Sequence, residues 1–175
     1  MTRTILFAIT LAAVFSVAMV APISAVSSGF LDIKKVEEGE DSFKITTKSA
    51  IPKKNAGAFG FGKIDLDTGM VLGATGHGGI KDSNAQVDAS DGSFHTHKVQ
   101  LTGPNGVCTD DGAAFQVLSV SEDEIGEATV RGNTITVSGL TEELPGADGF
   151  VSFTLSVPTG DPADGVCVHP VEVFP

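Results

Sequence analysis

The sequence predicts an all-β fold, an antiparallel β-sandwich, from three observations. Residues 151–157 alternate strictly between apolar and polar side chains, which is the period of a half-buried strand. Residues 127–138 form two short β-type runs around Gly132-Asn133, a two-residue turn of the kind that right-twisted strands prefer. No helical period is sustained beyond the first 28 residues. Many short strands separated by turn residues are typical of sandwiches and barrels.

Residues 1–28 are predicted to be a secretory signal peptide. Arg3 precedes an apolar run over residues 5–21, and residues 22–25 supply a turn and a small residue for cleavage. The alternative is a retained N-terminal membrane anchor, because the run approaches the length of a spanning helix. With cleavage, one β-sandwich domain over residues 29–175 is expected, without a membrane span, in a protein that is secreted or held at the cell surface.

Composition excludes two classes of partner. The formal net charge is −11 and no basic stripe occurs, so a nucleic-acid partner is not expected. The chain has neither Trp nor Tyr, the amphipathic aromatic residues that sugar-binding modules usually offer. The acidity itself is consistent with solubility outside the cell.

The remaining strands follow from turn residues and alternation. Strands are predicted at residues 30–36, 42–47, 58–66, 70–74, 93–101, 115–120 and 166–174. Within residues 58–66 the apolar positions change parity after Phe61, which predicts a β-bulge at Gly60 or Gly62. Residues 73–93 are predicted to be a long, glycine-rich loop.

The strand at residues 93–101 carries two histidines. His95 and His97 share a face with Val99 and Leu101, whereas residues 96, 98 and 100 look like its solvent side. Same-face neighbours lie about 6.5–7 Å apart, close enough for two imidazoles to bind one ion, and imidazole is a common zinc and copper ligand. The alternative is a pair of core-edge histidines that hydrogen-bond to backbone or water.

The two cysteines connect this strand to a third histidine. In an exported chain we expect Cys108 and Cys167 to form a disulfide worth on the order of 4 kcal/mol. His169 shares the face of Cys167, so the disulfide can bring it near the pair if the hairpin register places Cys108 on that side. His77, in the glycine loop, is the candidate fourth ligand. Three or four imidazoles suit a copper or zinc ion.

The segment Phe94-His95-Thr96-His97, followed by Cys108 and a late second cysteine, resembles copper/zinc superoxide dismutases, and the His-x-His spacing to residues 103–106 is similar to CHRD domains. The resemblance implies a Greek-key or immunoglobulin-like sandwich and a copper ion. The chain departs from the dismutase pattern because no histidine lies between His97 and His169, and His169 follows the second cysteine.

The sequence therefore predicts a secreted sandwich that binds one copper or zinc ion for capture, delivery or redox protection. No complete catalytic motif is present, so a non-enzymatic role is favoured over a copper-dependent oxidoreductase. The rival hypothesis is a structural or adhesive cell-surface module with structural histidines, which could self-associate through an edge strand. The acidic run at residues 122–124 is predicted to be a solvated loop.

Overall fold

The structure is a computed structural model that describes residues 29–53, 57–77 and 93–175, except for the side chain of His77. The predicted signal peptide and most of the predicted long loop lie outside these residues. The described strands are β1 (Ile33–Glu38), β2 (Phe43–Thr47), β3 (Ala58–Asp65), β4 (Met70–His77), β5 (Phe94–Thr102), β6 (Phe115–Val120), β7 (Glu127–Arg131), β8 (Thr134–Ser138), β9 (Gly149–Ser156) and β10 (Cys167–Phe174). Two short helical segments accompany them: α1 (Val107–Asp110) and a 3-10 helix at Pro162–Asp164. The fold is the predicted all-β sandwich, built from two antiparallel sheets.

The first sheet has four strands in the order β1-β2-β8-β7. Its β7–β8 hairpin has the predicted register, since Val130 pairs with Ile135 and Arg131 with Thr134. Gly132 has φ 61°, a left-handed conformation that costs glycine nothing. The turn is also tied to β2, because the Asn133 Nδ2 donates a hydrogen bond to the Thr47 carbonyl at 2.9 Å.

The second sheet has six strands in the order β10-β6-β5-β4-β3-β9, and it closes because β10 pairs with both β6 and β9. Closing so few strands into a ring requires a strong tilt and stagger. The stagger is visible in β10: Cys167, at its start, pairs with Gln116 of β6, whereas Phe174, at its end, pairs with Phe150 of β9. The predicted β-sandwich did not include this closure.

The prediction of a β-bulge in β3 is wrong. β3 pairs with β4 in continuous register from Ala58 to Asp65. The apolar parity changes because the buried face changes. Phe59 and Phe61 face outward into the core shared with the first sheet, whereas Ile64 belongs to a separate cluster formed with residues of β4, β5, β9 and β10.

The first sheet packs on the outer wall of the closed sheet. The core between them includes Ile45, Ile135 and Val137 from one side and Phe61 and Ala74 from the other, all fully buried. The start of the described chain reinforces this contact. The carbonyl of Leu31, before β1, accepts a hydrogen bond from the Ser152 hydroxyl at 2.6 Å, and the amide of Ile33, the first residue of β1, donates to the Glu172 carboxylate.

The predicted disulfide between Cys108 and Cys167 is confirmed, with 5.2 Å between its Cα atoms. Cys108 lies on α1 rather than on a returning strand, so the disulfide fixes α1 to the start of β10. None of the helices in the described ranges is both long and apolar enough to cross a membrane.

Candidate functional site

The two histidines of β5 lie side by side on one strand and are both largely buried, at 9% exposure for His95 and 5% for His97. The His95 Nδ1 lies 3.1 Å from the Glu124 carboxylate, and its Nε2 lies 3.3 Å from the Ser93 hydroxyl. Glu124 belongs to the acidic run at residues 122–124, which is an exposed loop as predicted. Its carboxylate is placed to accept a hydrogen bond from the imidazole.

The opposite face of β5 was predicted to face solvent, but the structure covers part of this face. Thr96 is completely buried, and its hydroxyl donates to the Gly126 carbonyl at 2.5 Å. The Ile125 amide donates to the Thr96 carbonyl at 3.3 Å. The chain after β6 therefore runs back along β5 and covers the side of the strand whose threonine, lysine and glutamine suggested exposure.

His169 lies in a separate polar cluster on β10. Its Nε2 donates to the Asp111 carboxylate at 2.8 Å and lies 3.0 Å from the Ser156 hydroxyl, while Ser156 itself donates to Asp111 at 2.5 Å. The hydrogen bond from Ser156 and, to a smaller extent, the contact with His169 lower the pKa of Asp111 below its ordinary value of 3.8.

This cluster contains a serine, a histidine and an aspartate, but it lacks the arrangement of a catalytic triad. In a triad the serine and the carboxylate contact different nitrogens of the imidazole, so that the base can accept the serine proton. Here Ser156 and Asp111 meet the same nitrogen, and the serine proton is directed to the carboxylate. The arrangement stabilises the corner beside the disulfide.

His77 ends β4 rather than lying in a loop, and its backbone pairs with Ala58. Its side chain lies outside the described residues, so its role as a fourth ligand stays a prediction.

The expected gathering of His95, His97 and His169 is not found. Within the ranges given above, no three His, Cys, Asp or Glu side chains are grouped so that they could hold a metal ion. The physical reason is strand alternation. Val168 and Pro170 line the inside of the closed sheet together with His97, so His169, of opposite parity on β10, faces outward toward Asp111. Copper or zinc binding stays a prediction.

The structure also contains a cavity of about 750 Å³ inside the closed sheet, which was not predicted. All six strands contribute to its wall. The apolar lining residues include Ile64, Val71, Val99, Leu101, Val117, Val151, Phe153, Leu155 and Val168. Residues 161–163, 165 and 166, in and around the 3-10 helix, form a further part of the wall.

A few polar groups lie on this apolar wall. Thr75 and His97 contribute from β4 and β5, Gln116 and Ser119 from β6, and Asp161 from the connection before β10. An apolar cavity with a small number of polar groups is the usual composition of a small-molecule site, and its volume lies within the roughly 300–1,000 Å³ of such sites. The arrangement can hold an apolar body and orient one polar group.

The cavity was not predicted from the sequence, although the sequence identifies some of its lining residues as buried. The lining residues of β5 and β9 are the apolar members of the alternating patterns at residues 93–101 and 151–157. Alternation identifies these faces as buried but does not say whether they meet a second sheet or enclose a space.

Comparison of the chain with protein-family models, with curated proteins and with solved structures found no match.

Proposed function

We propose that this protein binds a small apolar molecule inside its closed six-stranded sheet. The observation that carries the proposal is the cavity of about 750 Å³, lined by side chains from every strand of the sheet. Protein interiors are close-packed and contain few voids larger than a water molecule. A space of this size on an apolar wall is therefore best explained as a site that a ligand fills.

The wall is suited to apolar binding because most of its side chains are aliphatic or aromatic. Burying apolar ligand surface contributes roughly 25 cal/mol per Å² removed from water. The rigid framework adds to this, since the closed sheet and the Cys108–Cys167 disulfide hold the wall in place before binding. The protein would act as a binding or carrier protein rather than as an enzyme.

The place of action that we propose is outside the cell. Support comes from the signal-like pattern of residues 1–28 and from the disulfide, which is favoured in oxidising compartments. Mass spectrometry of the exported protein tests this, with removal of a segment ending near residues 25–28 as the expected result.

Binding can be measured with N-phenyl-1-naphthylamine, an uncharged dye that becomes fluorescent in apolar surroundings. The exported protein should give saturable fluorescence at one dye per chain. Val117→Phe and Leu155→Trp enlarge two lining residues and should each weaken dye binding by about tenfold or more, equal to about 1.4 kcal/mol. Val173→Phe is the matched control, because Val173 is 48% exposed on β10 and is not a lining residue.

Leu155→Trp also supplies a reporter, since the natural chain has no Trp. Its emission should be shifted to the blue and should fall as the dye binds nearby. Folding of each variant is checked by thermal unfolding. The proposal is overturned if the folded natural protein shows no saturable binding, or if both enlarged variants bind the dye as tightly as the control.

The metal prediction is tested separately by calorimetric titration with Cu²⁺ and Zn²⁺. A His95→Ala, His97→Ala double variant should lose any such affinity, and unchanged affinity would contradict a role for these two histidines.

A further inference from the structure

The cavity reaches the edge of one strand, and this indicates where it opens. β6 and β10 pair through only two residue pairs, Gln116 with Cys167 and Phe115 with Val168. By contrast, β10 pairs with β9 along nearly its whole length, from Cys167 to Phe174. The contact ends at Val117, whose amide donates to the Val166 carbonyl at 2.9 Å. Leu118, Ser119 and Val120 lie beyond it, so among the described residues this edge of β6 has no paired strand.

The residues of β6 that line the cavity give a second, independent indication. Cross-strand partners share a face, and β6 has a register shift against β5 at Leu118, so Phe115, Val117 and Val120, the partners of lining residues, should contact the interior. All six residues from Phe115 to Val120 nevertheless line the cavity. The space therefore extends to the free edge of β6, where the side chain of Leu118 is among the most exposed of the large apolar side chains, at 67%.

The charged groups at this wall determine which headgroup charge a ligand can carry. Among the described residues that line the cavity there is no Lys or Arg; the one carboxylate among them is Asp161, and the one basic ring is the imidazole of His97. The whole chain has a formal net charge of −11. An anionic headgroup entering here would lose hydration without gaining a paired lysine or arginine, and it would approach a carboxylate.

We infer that the cavity opens along the free edge of β6 beside Asp161 and selects an uncharged apolar molecule with a single hydrogen-bonding headgroup, such as a long-chain alcohol, over its anionic counterpart. This inference rests on the proposed function and specifies the ligand class of the same site. Hydroxyl, amide and imidazole groups of Thr75, Ser119, Gln116 and His97 are the groups on the wall that can contact such a headgroup.

The test compares two competitors of equal chain length, 1-dodecanol and dodecanoate, as displacers of the bound dye. At about pH 8 the acid is fully ionised, so the pair differs mainly in headgroup charge. We expect dodecanol to displace the dye at a concentration about tenfold lower than dodecanoate. Asp161→Lys should lower the ratio of the dodecanoate to the dodecanol displacing concentration at least about threefold, because the new lysine improves dodecanoate binding more than dodecanol binding.

Asp164→Lys is the matched control. Asp164 ends the 3-10 helix that Asp161 caps, is exposed and does not line the cavity. The inference is overturned if dodecanoate displaces the dye as well as dodecanol does, if neither displaces it, or if the two lysine variants change the ratio equally. Each of these results presupposes that the dye binds. Failure of the dye itself to bind overturns the proposed function instead.

Discussion

The Nε2 atom of His169 lies 2.8 Å from the Oδ2 atom of Asp111, so a side chain of the last strand is linked to the segment that follows α1. The same two parts of the chain are joined by the Cys108–Cys167 disulfide. One corner of the closed sheet is thus held by a covalent bond and by a polar cluster, and the two contributions can be separated by experiment.

Asp111→Asn is expected to lower the free energy of unfolding at neutral pH by about 0.2–1 kcal/mol, because the pair is partly exposed and screened by solvent. The pKa of Asp111 is lowered in the folded protein, mainly by the hydrogen bond from Ser156. Its contribution to stability is therefore fully present above the ordinary value of 3.8 and is lost as the pH falls through the lower, folded-state pKa.

Urea unfolding at a series of pH values should show that the difference in unfolding free energy between natural protein and variant becomes smaller in acid. Asp110→Asn, at the neighbouring exposed position, serves as control, and an equal pH-dependent loss there would contradict the assignment.

Replacing both cysteines by alanine is expected to lower the free energy of unfolding by about 4 kcal/mol, because the disulfide closes a loop with a sequence separation of 59. Both cysteines are fully buried, so alanine avoids placing a new hydroxyl in the core. Chemical denaturation of the oxidised natural protein and of the double variant measures the difference. A loss below about 1 kcal/mol would mean that the disulfide constrains the unfolded chain much less than the chain-entropy model requires.

Gly132→Ala is expected to cost about 1–2 kcal/mol, because alanine is strained at the φ of 61° that this turn requires. An added Cβ would meet no atom within 4 Å, so the cost isolates backbone conformation from steric clash. Gly103→Ala provides the comparison, since its Cβ would also meet open space and its φ lies outside the left-handed region. Thermal unfolding should separate the two variants, and equal midpoints would show that the left-handed turn is not required.

Gly60→Ala is expected to destabilise the closed sheet by about 1–3 kcal/mol through overpacking. A Cβ at this position would lie 2.5 Å from the ring of Phe153 and 2.7 Å from the Ala74 carbonyl oxygen. At Gly76 of β4 the nearest described atom would be 3.5 Å away, an ordinary contact, so Gly76→Ala should change stability little. Because Phe153 lines the cavity, Gly60→Ala should also weaken dye binding, which a purely local strain would leave unchanged.

Local patterns predicted the local structure well. The strand at residues 115–120 and the β7–β8 register have the predicted bounds and pairing. These features depend on alternation and turn residues within a few positions of one another. The disulfide was also predictable, because a chain with two cysteines offers a single intramolecular pairing.

Long-range relationships were not predictable in the same way. Alternation correctly paired His169 with Cys167 on one face of β10, but it does not say which face of a strand points into a closed sheet. The sequence therefore placed His169 and His97 together, whereas the wall of the sheet separates them. Thr96 shows the same limitation, since a polar residue that looked solvent-exposed is buried under a segment 30 residues away in sequence.

The position of β10 in the ring has a consequence for how the molecule is made. Strands β3 to β6 and β9 precede it along the chain, yet the ring is complete only when this final strand is inserted between β9 and β6. The start of β1 also depends on this strand, because the Ile33 amide donates a hydrogen bond to the carboxylate of Glu172 on β10. Folding during synthesis can therefore produce hairpins but not the enclosed chamber, and a polypeptide interrupted before Cys167 would display its apolar lining to the surroundings, where it becomes a substrate for chaperones and proteases.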